Sequence, residues 1–335
     1  MPEIRKATAI PPGSLTPFFA AAWPDRAAFL DEHWRWLYRV DRFPGLEPLA
    51  LVDAGKVVGF AGSMPVKIAH DGRESTAIWF VDFSILPEWR GKGHGKALTE
   101  AWMATCPRRI TFCNDESMRV FLKLGWTERT GAFARSFPLE LAGPMRRRWG
   151  AAGAAAGVLF GPAARLGLRA LTAGAPALKV SPLPPDSGGL AEKFDEPMNM
   201  KPRVPRDADW VRWRLLENPR RAEHFLAETG GAAGVFRLFE SLGRRRAHLL
   251  LVGPGKPEAR AGLVKGFARW ALDSGADDAW LAGTDAVLLA AAAPVLSRER
   301  PVRFAWSAAD PASAELLSAP LPTQSIDSDH DLMFP

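Results

Sequence analysis

A chain of 335 residues is about twice the usual domain size, so two domains are the first expectation. Its hydrophobic share of 47% and charged share of 24% exclude wholesale disorder and collagen-like repeats, and two cysteines exclude a disulfide scaffold. The net charge of +6 includes two compact basic runs, Arg146–Arg148 and Arg244–Arg246, neither interleaved with aromatics as base stacking requires. Nucleic acid is therefore set aside, and the excess suits a pocket for a polyanionic cofactor and solvated arginine faces.

The opening Met-Pro-Glu-Ile-Arg-Lys lacks the basic-then-apolar layout of a secretion signal, so a reducing cytoplasm is the expected compartment. A Trp-rich helix holding Trp34, Trp36 and Tyr38 comes first and stops at Pro44. Tyr38 is the only tyrosine, beside thirteen Trp and nineteen Phe, and so is the one phenol available as an acid or base. A strand then reaches Asp53-Ala54-Gly55-Lys56, a tight turn into a second strand through Gly59. His70 flanks a further turn, Asp71-Gly72. A strand from Thr76 to Leu86 runs into the glycine-rich stretch Pro87–Lys96, and a helix, Ala97 to Thr105, follows.

From Trp149 to Ala164 the residues are almost all Ala, Gly, Val, Leu and Phe, with Pro162 interrupting and Arg165 and Arg169 following at helical spacing. The stretch is shorter than the roughly twenty apolar residues of a spanning helix. It reads as an Ala-rich helix linking or packing between domains, with an interfacial helix on anionic lipid as the alternative. Pro182 to Gly189 reads as a linker.

The second half repeats the first. Trp210-Val211-Arg212-Trp213 to Pro219 is followed by Glu228-Thr229-Gly230-Gly231, and Pro44 to Asp53 and Pro219 to Glu228 are both nine positions. The same order at the same spacing implies two copies of one fold. A strand, His248 to Val252, again leads to a helix, Glu258 to Leu272, but through only Gly253-Pro254-Gly255-Lys256. No arginine precedes these glycines, and Pro254 removes an N–H. No second Asn-x-x-Ser helix or Lys-Leu-Gly-Trp turn is visible after Leu281. Asp207, Asp209 and Glu217 read as solvated or capping carboxylates, and the tail Asp327–Pro335 as a poorly ordered acidic end.

The strand, Arg90, glycines at 91, 93 and 95 and the helix after them form an anion cradle: glycines let successive N–H groups converge, and the helix N-terminus adds positive charge. The spacing is neither that of a Walker loop nor that of a dinucleotide fold. Arg90-Gly91-Lys92-Gly93-His94-Gly95 resembles the Arg/Gln-x-x-Gly-x-Gly/Ala signature of the GNAT acetyltransferase superfamily. Asn114-Asp115-Glu116-Ser117 and Phe121-Leu122-Lys123-Leu124-Gly125-Trp126 resemble that superfamily's second signature, at the right distance downstream. The Trp-rich helix and tandem halves are similar to bacterial tandem GNAT proteins, some of them associated with surface-polysaccharide pathways.

This resemblance implies an α/β fold with α+β character: a central mixed, twisted sheet flanked by helices, present twice in tandem. Residues 1–140 would form the acetyl-CoA-binding domain, 141–189 an Ala-rich helical linker, and 190–335 a degenerate second copy. It implies direct acetyl transfer from acetyl-CoA to a primary amine of a small molecule or amino sugar, with no metal and no covalent enzyme intermediate, by a monomer or homodimer. Backbone groups of Phe83, Ser84 and Ile85 would meet the pantetheine arm. Arg90, Gly91, Lys92, Gly93, His94, Gly95 and Lys96 would hold the pyrophosphate, and Asn114, Ser117 and Phe121 would line the arm near the thiol. Catalysis asks for a base, for which Asp82 is the choice, and an acid for the departing thiolate. The superfamily's usual tyrosine is replaced by Phe121, which leaves Tyr38, Cys113 or water for that role. Asn114 completes the catalytic set. The alternatives are a non-catalytic acyl-CoA-binding scaffold and a transferase of longer acyl or aminoacyl groups.

Overall fold

The computed structural model describes residues 2–196 and 201–329. The first half runs β1 (Glu3–Lys6), α1 (Thr16–Ala22), α2 (Ala27–Leu37), β2 (Leu49–Asp53), β3 (Lys56–His70), β4 (Arg73–Ile85), α3 (His94–Met103), β5 (Arg108–Cys113), α4 (Asp115–Lys123), β6 (Thr127–Arg129) and β7 (Phe133–Pro138). A long kinked helix, α5 (Ala142–Leu171), leads to the second half. That half runs β8 (Lys179–Pro182), α6 (Ser187–Phe194), α7 (Ala208–Val211), β9 (His224–Thr229), β10 (Ala232–Ser241), β11 (Arg244–Val252), α8 (Pro257–Asp273), β12 (Asp278–Gly283), α9 (Ala286–Ala292), β13 (Arg298–Pro301), β14 (Arg303–Ala308) and α10 (Pro311–Ser318).

Two seven-stranded sheets result, in the orders β1-β2-β3-β4-β5-β14-β6 and β13-β7-β12-β11-β10-β9-β8. Each mixes antiparallel hairpins with one parallel pair, β4–β5 in the first and β11–β12 in the second. The hairpin turns follow from their residues. Ala54-Gly55, Asp71-Gly72 and Leu242-Gly243 each take two successive positive φ values, the geometry whose twist matches that of the flanking strands.

The sheets exchange strands. β14, from the second half, lies between β5 and β6, pairing Phe304 with Phe112. β7, from the first half, lies between β12 and β13, pairing Leu281 with Arg135. Against the expected segments 1–140 and 190–335, each sheet takes an internal strand from the other segment. The intervening 141–189 is also more than a helical linker, since it contributes edge strand β8, and Asp186 caps α6 within the stretch read as a loop.

An internal near-twofold relation shows at the repeated tryptophans. Trp36 donates its indole N–H to the carbonyl of Trp213 at 3.1 Å, and Trp213 donates to the carbonyl of Trp36 at 3.0 Å. Around this pair Arg39 and Arg42 bind Asp209, and Lys67 lies 3.0 Å from Asp207, which also caps α7. Asp207, which caps as one of its two readings has it, and Asp209 therefore also join the halves.

The second half also carries a helix after its parallel strand, α9, without the Asn-x-x-Ser pattern: its cap Asp285 accepts from the N–H of Leu288 as Asn114 accepts from Ser117 in α4. The acidic end is not loose at its start, because Asp327 is buried and lies 2.6 Å from Arg206; residues 330–335 lie outside the described residues.

Candidate active site

The glycine-rich stretch folds as its composition requires. Gly91 and Gly93 take φ of 74° and 82°, and Gly93 is the N-cap of α3, with no side chain satisfying the free N–H groups of the first turn. The helix begins at His94, three residues before the sequence reading placed it, because Gly95 and Lys96 are already helical. Arg90 turns back so that its Nε donates to the carbonyl of Ile85, and Lys92 reaches the carbonyl of Glu88 while lying over Trp89. Lys96 pairs loosely with Glu100, and the His94 ring sits 5.7 Å from that of Trp89. The result is a solvent-facing nest of N–H groups ringed by three cations, fit for a pyrophosphate.

Beside it the parallel pair opens. β4 and β5 are paired at Ile78–Arg109 and Trp79–Ile110, and from Phe80 onward the strands diverge. The Thr111 hydroxyl donates to the Phe80 carbonyl at 2.8 Å where the gap starts. The diverging edges open onto a cavity of about 970 Å³ lined by Phe80 to Phe83, Thr111 to Asp115, Ser117 and Phe121. An extended thiol-bearing arm can add to that edge as a strand would. Phe83, Ser84 and Ile85 lie along it, Phe83 with 37% of its surface exposed.

A buried cluster forms one wall. Asp82 sits at a kink in β4 with φ 50°, next to the irregular pairing between Phe60 and Gly62 of β3. Gly62 is required there, since a Cβ would lie 2.6 Å from the Val81 carbonyl and 2.9 Å from the Tyr38 ring. Tyr38, fully buried at the end of α2, donates its hydroxyl to Asp82 Oδ2 at 2.8 Å. Arg26 meets Oδ1 at 2.6 Å and lies 3.9 Å from Asp329, which also lines the cavity.

Burial pushes the Asp82 carboxyl above the usual carboxylate range, against the pull of Arg26 and with the push of Asp329. Burial, then Asp82, raises the Tyr38 phenol well above its ordinary value. Burial opposes the charge on Arg26, but Asp82 and Asp329 outweigh it and hold the guanidinium charged. Two carboxylates thus face one guanidinium.

The structure places the remaining predicted residues as follows. Tyr38 stands behind Asp82 rather than on the cavity surface, so it does not reach a thiolate there. Asn114 lines the cavity while capping α4 through the Ser117 N–H. Phe121 is 4% exposed and packs edge-on against Phe80 at 5.4 Å. Cys113 is half-buried, its thiol pushed up to about 12 by burial, so it is protonated at neutral pH. Residues that sequence reasoning missed complete the cavity: Trp23, Arg26 and Asp329 on one side, and Trp280 and Ala282 of β12 with Arg300 to Arg303 at β13 and the start of β14 on the other.

The corresponding gap in the second half is filled by the chain itself. β11 and β12 are paired as far as His248–Trp280, and the C-terminal stretch then enters between them. Gln324 accepts from the Val252 N–H at 2.7 Å and donates to its carbonyl at 2.9 Å. Ser325 bonds both the N–H and the carbonyl of Ala282, and Thr284 N–H donates to the Thr323 carbonyl. Gly283 lets the backbones approach, as a Cβ there would strike the Thr323 carbonyl. Arg260 and Asp285 pair in the place where a helix N-terminus would otherwise face a ligand. The same segment carries Asp329, which lines the first half's cavity.

Comparison with known proteins agrees with this geometry. Residues 13–126 match the acetyltransferase (GNAT) family model. No curated protein matches the chain in sequence. The whole fold is similar to a GCN5-related N-acetyltransferase from Kribbella flavida, at 15% identity and TM-score 0.56, covering 94% of this chain and 73% of that one. It is also similar to a conserved protein of unknown function from Enterococcus faecalis, at 11% identity and TM-score 0.57, covering 91% and 72%. A GCN5-related N-acetyltransferase from Anabaena variabilis aligns at 12% identity and TM-score 0.52, covering 94% and 74%. With both signatures on the strands and helices they require, residues 13–126 carry a domain of the acetyltransferase (GNAT) family, and the two sheets fit a tandem arrangement of the GNAT fold.

Proposed function

We propose that the protein is an acyl-CoA-dependent N-acyltransferase of the cytoplasm that moves an acetyl group from acetyl-CoA to a primary amine of a small molecule or amino sugar. The observation that carries this reading is the continuity of the anion nest at Gly91–Lys96 with the diverging edge of β4 and the cavity beyond it. The nest suits the pyrophosphate, and the β4 edge suits the pantetheine arm. The cavity then receives the thioester next to the Asp82–Arg26–Asp329 wall, whose two carboxylates favour a cationic amine. Asp82 first takes a proton from the ammonium, directly or through a water; the freed amine nitrogen attacks the thioester carbonyl, the carbon–sulfur bond breaks, and the nitrogen's second proton passes through water to the leaving thiolate. The thiolate leaves without a phenol beside it, because Tyr38 is buried and Phe121 has no proton to give.

Calorimetry with acetyl-CoA, joined to thiol release in the presence of an amine panel, tests the proposal. Binding with amine-dependent thiol release is expected. Binding without turnover on any amine or acyl chain favours the scaffold reading, and absence of binding overturns both. Gly93→Asp separates site from fold. Aspartate tolerates both the left-handed backbone and the N-cap position, so the protein stays folded. Its carboxylate facing the pyrophosphate lowers affinity at least about a hundredfold; unchanged affinity would remove the loop from the binding site.

A further inference from the structure

Helix α5 turns the wrong face outward for a helix that packs between domains. Its chain bends at Trp149 and Gly150, which leave helical geometry, and folds back on itself. Buried Gly153 and Gly157 lie against the backbone of Met145 and of Leu141–Ala142. Leu168 and Thr172 are buried farther along, Leu168 within the second half's core, and Arg165 donates to the Leu139 carbonyl. The face toward the protein is thus a narrow stripe of mostly small residues. The face away from it carries Val158, Leu159, Phe160, Leu166 and Leu171, each at least half exposed, with Trp149 at the bend. Six of the twelve large apolar side chains exposed among the described residues lie on this one helix, so the exposure is a patch and not a scatter.

Charge says what covers it. From 141 to 185 the chain has no Asp or Glu, while Arg146, Arg147, Arg148, Arg165, Arg169 and Lys179 fall within it. Arg146 and Arg148 are exposed, Arg148 lies over the Trp149 ring, and Arg169 is exposed at the far end, 4.0 Å from Asp273. Arginines at both ends of an apolar face, with a tryptophan beside one of them, match an anionic bilayer surface. A second copy docked through the same face would set the acid-free segments against each other. The span Arg148–Leu171 is long and apolar enough by composition to cross a membrane. The start of α5, however, folds back against Gly153 and Gly157, Arg165 bonds the Leu139 carbonyl, and Leu168 is buried in the second half's core, which holds the helix along the surface.

We propose that α5 seats the protein on an anionic lipid bilayer. Val158, Leu159 and Phe160, with Trp149, Leu166 and Leu171, enter the headgroup boundary, and Arg146, Arg148 and Arg169 face the lipid phosphates. Vesicle sedimentation of the full chain tests this with phosphatidylcholine alone and with phosphatidylglycerol added. Sedimentation velocity without lipid runs in parallel. Binding is expected only with phosphatidylglycerol and weakens with salt. Arg146→Gln with Arg148→Gln lowers it about fivefold per charge, and Leu159→Ser with Phe160→Ser lowers it about tenfold or more. Both variants are at exposed positions, and unchanged melting with unchanged acetyl-CoA binding shows that they remain folded. Wild-type protein that ignores phosphatidylglycerol, or equal binding by all variants, overturns the proposal. So does a lipid-free dimer that the Leu159/Phe160 variant turns into a monomer, since the face is then covered by a second copy.

Discussion

At Asp82 a single residue joins fold to chemistry. Its positive φ turns the carboxylate out of the strand toward Arg26 and Tyr38, and Gly62 makes room for the phenol to approach. The Tyr38 hydrogen bond favours the ionised carboxylate, so its removal raises the Asp82 pKa. Tyr38→Phe therefore shifts the acid limb of the rate profile to higher pH and lowers turnover at neutral pH by less than about tenfold. A loss of about 10² to 10⁴ with no shift of that limb would make Tyr38 the acid for the thiolate instead. His224 illustrates the converse, a base kept neutral. It is fully buried, and desolvation followed by Arg237, Arg214 and Arg220 pushes it down to about 3. The unfolded chain takes up a proton below about pH 6.5 and the native chain does not, so stability falls as pH drops. Between about pH 7.5 and about pH 5 this costs about 2 kcal/mol. His224→Leu should remove that part of the acid sensitivity, read as a smaller change in the urea midpoint between the two pH values.

Among elements, the two parallel pairs make the informative contrast. β4–β5 and β11–β12 diverge in the same way, but the second gap is stitched by Gln324 and Ser325. The sequence already showed a weakened loop at Gly253–Lys256, and the structure adds that the chain's own C-terminal stretch pairs where the first half leaves a strand edge open. One acetyl-CoA per chain is the expected stoichiometry. Gln324→Ala leaves the buried N–H and carbonyl of Val252 without these partners and should cost roughly 2–4 kcal/mol in chemical denaturation. Its acetyl-CoA affinity should stay that of the wild type by calorimetry; a tighter or second binding event would show that the stitched gap is a usable site.

In the whole molecule the exchanged strands decide what can stand alone. β14 fills the first sheet between β5 and β6, and β7 fills the second between β12 and β13. Arg300 to Arg303, at and beside the start of β14, bring second-half residues into the first half's cavity. A fragment ending at Glu140 lacks β14, leaves β6 and one edge of β5 unpaired and exposes β7. It should aggregate or remain unfolded by circular dichroism, whereas a cooperatively folded fragment that binds acetyl-CoA would show the exchange to be dispensable.

Much of this was legible in the residues because it is local. Arg90 to Gly95 and the Asn114–Trp126 stretch identify the superfamily, and the hairpin turns and loop follow from glycine's conformational freedom. The repeated tryptophans disclose two copies because spacing survives in sequence. Sequence could not show that Trp36 and Trp213 bind each other, that Tyr38 supports Asp82 from behind, or that Asp329 returns to Arg26 across the length of the chain. Nor could it show that β7 and β14 change sheets, or which face of α5 is turned outward. These are contacts between residues far apart in the chain, chosen by which arrangement buries apolar surface and pairs buried polar groups, and only the tertiary structure makes that choice.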